Sequence, residues 1–278
     1  MQEQLAPLMP YIYVLTAVFG LVMGSFLNCM AWRMCNGESV MEGRSHCTTC
    51  GHVLGAKDLV PVLSWLSTKG TCRYCGAKVS WRYPATELLC AVIYVSIMYV
   101  YGPTLEAIEL IGFASVLLVL TLTDLETYTI PNVTIVVALS IRVAYLVANS
   151  VISGSELVPA LIDALVGGVA VVVPIFILTL VMDFVLGKPS FGYGDIKLLF
   201  VCGTYFGWQQ SLFLIMLSCI LGLLGATLIH PKGGETDDDA TMENKGLIPF
   251  GPAIAVASWI CMLVGKNVVA WYLGLFGL

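Results

Sequence analysis

The chain has 278 residues, of which 58% are hydrophobic and only 11% charged, and its net charge is −5. A soluble domain carries about 25% charged residues, so the composition excludes an ordinary soluble globule and a disordered chain. The mean hydropathy of +0.90 is typical of a protein that crosses the membrane several times. The acidic balance argues against a nucleic-acid partner, because such proteins usually carry a basic patch.

Apolar runs that can cross a bilayer begin at residue 11. The first run, 11–32, holds 22 uncharged residues, and no Lys or Arg precedes it, so we do not interpret it as a signal peptide. The pattern predicts an all-α transmembrane bundle of about eight spans, with Gly207–Gln210 as the turn between two short ones. The predicted spans are 11–32, 86–102, 106–124, 133–152, 158–186, 196–208, 211–230 and 249–275.

The polar segment 33–83 separates the first span from the second. It contains seven of the thirteen Lys and Arg residues, and short loops rich in these residues remain on the cytoplasmic side of a membrane. We therefore expect this segment in the cytoplasm. Counting spans from it places 125–132, 187–195 and 231–248 on the same side, the last with a solvated acidic stretch from Glu235 to Glu243.

Two C-x-x-C pairs lie in the polar segment, 21 residues apart, and a glycine follows each pair. Four thiolates presented by two tight turns suit tetrahedral Zn²⁺, and disulfides are disfavoured in a reducing cytoplasm. Redox-active or incidental cysteines are the alternative. We predict a closed structural zinc site whose metal supplies much of the folding energy of a segment with little core. The predicted ligands are Cys47, Cys50, Cys72 and Cys75, and the nearby residues that could substitute are His46, His52 and Cys35.

Two aspartates lie at the ends of predicted spans. Asp124 ends a 14-residue uncharged run, and Asp195 begins the next apolar run after Gly192 and Gly194, which permit a bend and a close backbone approach. Span counting places both aspartates just inside the cytoplasmic face. A carboxylate pair can share a proton, so that one member activates water while the other protonates the carbonyl or the leaving amine. Solvated interface carboxylates remain the alternative on this reasoning.

The order and spacing of these motifs resemble those of the bacterial type IV prepilin peptidases over nearly the whole chain. Asn132 departs from the pattern, because members often have Asp after Ile-Pro. The segments that carry the resemblance are Gly24-Ser25-Phe26-Leu27-Asn28, the two C-x-x-C pairs, Arg82-Tyr83-Pro84 with Glu87-Leu88-Leu89, Asp124 with Ile130-Pro131, Gly192-Tyr193-Gly194-Asp195-Ile196-Lys197, and Ile248-Pro249-Phe250-Gly251-Pro252.

The resemblance implies two successive reactions at the cytoplasmic face of the bacterial inner membrane. The first removes a short basic leader from prepilins or pseudopilins, and the second methylates the new α-amine with S-adenosylmethionine. Asp124 and Asp195 match the catalytic aspartates of the family, the four cysteines match its zinc ligands, and Gly192, Gly194 and Lys197 belong to the same motif. The sequence shows no G-x-G-x-x-G fingerprint, and it does not identify the residues that bind the methyl donor.

We expect three parts: a first span (1–32), a cytoplasmic zinc-binding domain (33–85) and a transmembrane peptidase core (86–278). The closest rival is a leader peptidase without methyl transfer, although such relatives resemble only the later spans. Presenilin-like proteases share G-x-G-D but lack the cysteine-rich segment. A proton- or cation-coupled transporter would place its acids near the midplane, and a membrane scaffold with a zinc module would not need its aspartates.

Overall fold

The computed structural model describes residues 6–40, 43–187, 191–229 and 249–275. These residues are almost all helical, with two isolated antiparallel bridges and no longer strand among them. The predicted all-α class is confirmed. The helices are α1 (Met9–Cys35), α2 (Leu63–Ser67), α3 (Arg82–Tyr101), α4 (Leu105–Thr127), α5 (Asn132–Ser153), α6 (Leu157–Leu186), α7 (Tyr193–Ile229), α8 (Gly251–Ile260) and α9 (Lys266–Gly274), with a π-helical turn (Cys261–Gly265) joining the last two.

Seven helical segments of the described chain are long and apolar enough to cross a membrane, counting α8, the π-helical turn and α9 as one. The protein is therefore an integral membrane protein. Of the segments predicted to be cytoplasmic, 187–195 is described except for residues 188–190. The segment 231–248, with its acidic stretch 235–243, lies outside the described residues.

The sixth segment, α7, reverses its direction at Gly207. The ring of Phe250 contacts that of Phe191, with the ring centroids 5.6 Å apart. The same Phe250 ring lies against Gly222, where an added Cβ would be 2.7 Å from it. A continuous helix would separate residues 191 and 222 by about 46 Å at 1.5 Å per residue. Gly207 breaks the helix with φ 70° and ψ 174°, a conformation that only glycine adopts readily. The seven segments therefore contain eight spans, as the sequence predicts, and the turn is sharper than expected.

The chain divides into two compact units, Met1–Leu122 and Thr123–Leu278. In the first unit, α1 and α3 pack closely because α1 presents glycine to its neighbour. A Cβ on Gly20 would be 2.6 Å from the Cα of Ala91, and a Cβ on Gly24 would be 2.7 Å from the Cα of Glu87. Small residues are common at such contacts, since lipid supplies no hydrophobic drive for helix association.

Polar contacts fix the register of this helix pair. Asn28 of α1 donates from Nδ2 to the hydroxyl of Thr86 in α3 at 2.7 Å. The hydroxyl of Tyr94 in α3 lies 2.6 Å from that of Ser115 and joins α3 to α4 in the same way. A buried cluster around Leu27 and Cys90 fills the space between them. The start of α3 is therefore held at one depth relative to α1.

The second unit uses the same glycine packing between α6 and α7. A Cβ added to Gly167 would be 2.5 Å from the carbonyl oxygen of Gly203. A Cβ added to Gly203 would be 2.7 Å from the carbonyl oxygen of Gly167. The return half of α7 then packs against α8, where Gly222 accommodates Phe250. These contacts position the first turn of α7, which carries Asp195.

We expect Gly24→Ala to destabilise the protein by about 1–3 kcal/mol, because the new methyl group meets backbone that must move. Thermal unfolding in detergent measures the effect. Gly225→Ala is the matched control, since its Cβ would meet nothing within 4 Å and alanine favours a helix. Equal melting temperatures for the two variants would contradict the close α1–α3 contact.

Candidate active site and metal centre

Asp124 lies near the carboxyl end of α4 and is only 5% exposed. Both features disfavour a carboxylate, because burial removes water and the helix end carries partial negative charge. The backbone N–H of Gly251 compensates by donating to Oδ2 of Asp124 at 3.0 Å. Gly251 is the first residue of α8, so the positive end of that helix also faces the acid.

Asp195 is the third residue of α7, where the amino-terminal end of the helix favours negative charge. Its carboxylate is close enough to that of Asp124 to interact electrostatically with it. Gly192 lies directly beside it: a Cβ added there would be 2.8 Å from Oδ2 of Asp195. Any larger residue at position 192 would have to displace the carboxylate.

The link between α4 and α5 brings the two acids together. Tyr128 ends α4 with a positive φ of 52°, and the chain then runs through Ile130 to the start of α5. The Ile130 side chain packs on Gly194, where a Cβ would be only 3.0 Å from it. The absence of a side chain at Gly194 thus lets the first turn of α7 approach the link that follows Asp124.

Lys197 lies two residues after Asp195 in α7. Its Nζ donates to Oδ1 of Asn132, the first residue of α5, at 2.9 Å. This contact joins the starts of α5 and α7 beside the acid pair. The amide at position 132 thus accepts a hydrogen bond from Lys197 without forming an ion pair.

The hydrogen bond from the Gly251 N–H to Asp124 is a contact that the sequence does not reveal. The motif around Gly251 is visible in the sequence, but a backbone donor has no residue type of its own. The available signal was Pro252, which is favoured at the start of a helix and here is the second residue of α8. The first N–H groups of a helix need partners outside the helix, and an acid is a suitable one.

The four predicted zinc ligands come together in the polar module, residues 36–81. Each C-x-x-C pair forms the same turn: Gly51 donates to the carbonyl of Cys47 at 2.8 Å, and Gly76 donates to that of Cys72 at 2.9 Å. Both glycines have positive φ, 69° and 74°, which explains why glycine follows each pair. An isolated bridge closes each turn, His46 with Val53 and Thr71 with Lys78.

The arrangement of the sulfurs fits a zinc ion. All four lie within 4.8 Å of one another, and those of Cys47 and Cys75 are 3.9 Å apart. Tetrahedral Zn²⁺ with Zn–S bonds of about 2.3 Å requires sulfurs about 3.8 Å apart. The two histidines have other neighbours: the His52 ring is 3.6 Å from that of Tyr74, and His46 lies against Trp32.

Backbone N–H groups already favour a thiolate in this cluster. Those of Cys50 and Thr49 lower the pKa of Cys47 to about 6. At Cys75 the Ala77 N–H acts in the same direction, but desolvation and the hydrogen bonds to the other three thiols outweigh it and raise the pKa to about 11. A divalent cation would remove this asymmetry, because all four sulfurs bind it as thiolates.

An ion pair braces the module on one side of the cysteines. The Nε of Arg73 is 2.9 Å from Oδ1 of Asp58, and the Tyr74 hydroxyl and the Gly55 N–H donate to Oδ2. The hydrogen bond from Arg73 is the main reason why the pKa of Asp58 lies below its usual value. The carboxylate therefore stays ionised, and the brace intact, at any pH at which the cysteines can hold a metal.

Comparison with known proteins covers both parts of the chain. The family described as "Bacterial Peptidase A24 N-terminal domain" matches residues 18–101, and the "Type IV leader peptidase family" matches residues 111–227. The prepilin leader peptidase/N-methyltransferase of Pseudomonas putida is 32% identical over 96% of both chains. The chain belongs to the type IV leader peptidase family.

Relatives from other bacteria extend this family membership. The protein of the same name from Aeromonas hydrophila is 30% identical over 97% of both chains. That from Bacillus subtilis is 29% identical over 92% of this chain and 96% of its own. No solved structure matches the chain. The resemblance found in the sequence is thus confirmed. The A24 N-terminal match contains the four cysteines, and the leader peptidase match contains Asp124 and Asp195.

Cys72→Ser should abolish zinc binding, because Cys72 is the buried member of the cluster and a hydroxyl is a poor replacement for a thiolate ligand. We expect metal content to fall from about one zinc per chain to a trace, measured by elemental mass spectrometry on the purified protein. Cys219→Ser, an exposed cysteine in α7, is the matched control and should keep its metal. Full metal content in the Cys72 variant would remove the zinc site.

Proposed function

We propose that this protein removes the leader peptide from type IV prepilins or pseudopilins and then methylates the newly exposed α-amine, using S-adenosylmethionine. The two activities follow from the relatives, which carry both in their names over almost the full length of this chain. The observation that carries the peptidase half is the pair of carboxylates, Asp124 and Asp195, which lie at the ends of two spans and close enough to interact electrostatically.

The geometry divides the work between the two acids. The Gly251 N–H holds Oδ2 of Asp124 in place, which leaves the other oxygen for a water molecule or for a proton shared with Asp195. One carboxyl accepts a proton from the attacking water while the other protonates the carbonyl oxygen and later the leaving amine. No metal is required for these steps.

The position of the pair suits a prepilin substrate. Asp124 is three residues from the end of α4 and Asp195 is two residues from the start of α7, so both lie at the same edge of their spans. The excess of Lys and Arg in the polar module points to the cytoplasmic face of the inner membrane. A prepilin has its basic leader in the cytoplasm and its apolar helix in the lipid, and the bond between them lies at this edge.

The four cysteines serve this enzyme as a structural cross-link. A closed site with four protein ligands leaves no open position for a reactant, so the zinc would hold the two turns of the polar module together and take no part in either reaction. The peptidase core then corresponds to residues 86–278, with the zinc-binding domain at 33–85.

Mass spectrometry of a purified prepilin tests both activities. The prepilin is incubated with the detergent-solubilised protein, with and without S-adenosylmethionine. Loss of the leader in both samples and one added methyl group only with the donor is the expected result. Cleavage without methylation would leave a peptidase alone. No change with a folded protein would overturn the proposal and favour a transporter or a scaffold.

Asp124→Asn and Asp195→Asn should each reduce cleavage by about 10²–10⁴-fold or more, because an amide can neither take nor give the required proton. Initial rates of leader removal measure the loss, and thermal unfolding checks that the variants fold. Asp163→Asn, an exposed carboxylate on α6, is the control and should cleave normally. Normal processing by either active-site variant would eliminate the dyad.

Gly192→Ala should lower kcat for cleavage by up to about 10²-fold, since displacement of a catalytic group by about 1 Å has effects of this size. The new Cβ would be 2.8 Å from Oδ2 of Asp195. Methylation of a synthetic peptide that lacks the leader should continue, because the carboxylate pair takes no part in it. If Gly192→Ala and Gly225→Ala cleave equally well, Gly192 does not position Asp195.

A further inference from the structure

A cleft of about 560 Å³ lies in the polar module, between α2 and the segment that leads into α3. Its walls carry two tryptophans, Trp65 and Trp81, and two lysines, Lys69 and Lys78. The peptidase mechanism uses none of these residues. Its volume lies within the range of clefts that hold small-molecule ligands, about 300–1,000 Å³.

One indole is fixed in place. The Nε1 of Trp65 donates to the carbonyl oxygen of Val79 at 3.0 Å. On the other side it packs against Gly70, where a Cβ would be 2.8 Å from the ring and where φ is +71°. The Trp81 side chain, by contrast, is 70% exposed. The cleft thus has one rigid aromatic wall and one that can adjust to a ligand.

The two lysines are brought together by the second cysteine turn. Lys78 pairs with Thr71 across the bridge that closes this turn, and Lys69 lies two residues before Thr71 with a positive φ of 52°. Within the described residues, neither ammonium group lies within 4 Å of a carboxylate, whereas Arg73 does. Among the described residues of the module, no carboxylate therefore pairs with the positive charge of the cleft.

The cleft lies at the level where a membrane span begins. Trp81 directly precedes Arg82, the first residue of α3, and tryptophan is favoured at the boundary between lipid and water. The Val62 N–H, at the start of α2, donates to Oε2 of Glu87 inside α3 at 2.7 Å. The wall that carries Trp65 is therefore tied to the first two turns of the span.

We propose that this cleft is the binding site of S-adenosylmethionine, with the adenine stacked on an indole and the carboxylate of the methionyl part paired with a lysine. This assignment rests on the methyl transfer proposed above. Aromatic side chains stack on nucleobases, and a tryptophan face also attracts a sulfonium cation. A cleaved prepilin ends immediately before its apolar helix, so its new amine emerges at this same level.

The positive charge of the cleft also suits the acceptor. Methyl transfer requires a neutral amine, and a free α-amine titrates near pH 8. Nearby ammonium groups disfavour an additional positive charge, so the lysine that is not paired with the carboxylate of the donor favours the neutral form of an incoming amine. The amine lone pair forms the new N–C bond as the C–S bond breaks, its electron pair stays on sulfur as a neutral thioether, and the methylated ammonium releases one proton to water.

Equilibrium binding of S-adenosylmethionine to the full-length detergent-solubilised protein tests the site directly. Trp81→Ala should raise Kd about tenfold or more, which is the size of effect that loss of one stacking face produces, and Trp81→Phe should restore most of the affinity. The double variant K69Q/K78Q should raise Kd to a similar extent by removing the partners of the carboxylate. Trp208→Ala, an exposed tryptophan outside the cleft, is the control and should bind as the unaltered protein does.

Zinc content and melting temperature show whether each variant is folded. Folded Trp81→Ala and K69Q/K78Q variants with an unchanged Kd would overturn the cleft as the donor site, even if the unaltered protein cleaves and methylates. Failure of the unaltered protein to methylate a cleaved prepilin or to bind the donor would instead overturn the proposed methyl transfer. The two failures are therefore distinguishable.

Discussion

The hydrogen bond between the Gly251 N–H and Asp124 joins two parts of the chain that are 127 residues apart. A carboxylate in a buried position at the negative end of a helix is unstable without such a partner. The donor is available only if α8 begins beside the end of α4. That position in turn requires the return half of α7 to come back to the same edge, where Gly222 receives the ring of Phe250. The helix reversal at Gly207 is thus a condition for the acid pair.

The protein stabilises its lipid-embedded and its polar parts by different means. Helices in lipid gain little from burying apolar surface, so they depend on close approach, and glycines of α1, α6 and α7 make that possible. Few of the described residues of the polar module are buried, and its parts are joined by four sulfurs, an ion pair and one indole held by a hydrogen bond. A bound metal would contribute there what packing contributes in the spans.

Much of the site could be predicted from the sequence, because the relevant signals are local. Cysteine spacing and the following glycines determine the two turns, and span length with loop charge places Asp124 and Asp195 at one edge. The Gly251 donor was missed because a backbone N–H has no residue identity. The cleft was missed for another reason: Trp65 and Trp81 are 16 positions apart, and only the folded turn at Gly70 shows that they face one space.

The first half of α7 runs from Tyr193 to the reversal at Gly207, so it contains about 14 residues and spans about 21 Å. The hydrocarbon core of a bilayer is about 30 Å thick. This hydrophobic mismatch of about 9 Å has to be accommodated by a thinner bilayer beside the helix or by an end that lies below the lipid surface. Where the amino-terminal end of α7 takes up this mismatch, Asp195 lies at a dip in the membrane that water can enter. A peptide bond at the start of a lipid-embedded substrate helix can then reach the acids without the helix being pulled out of the bilayer.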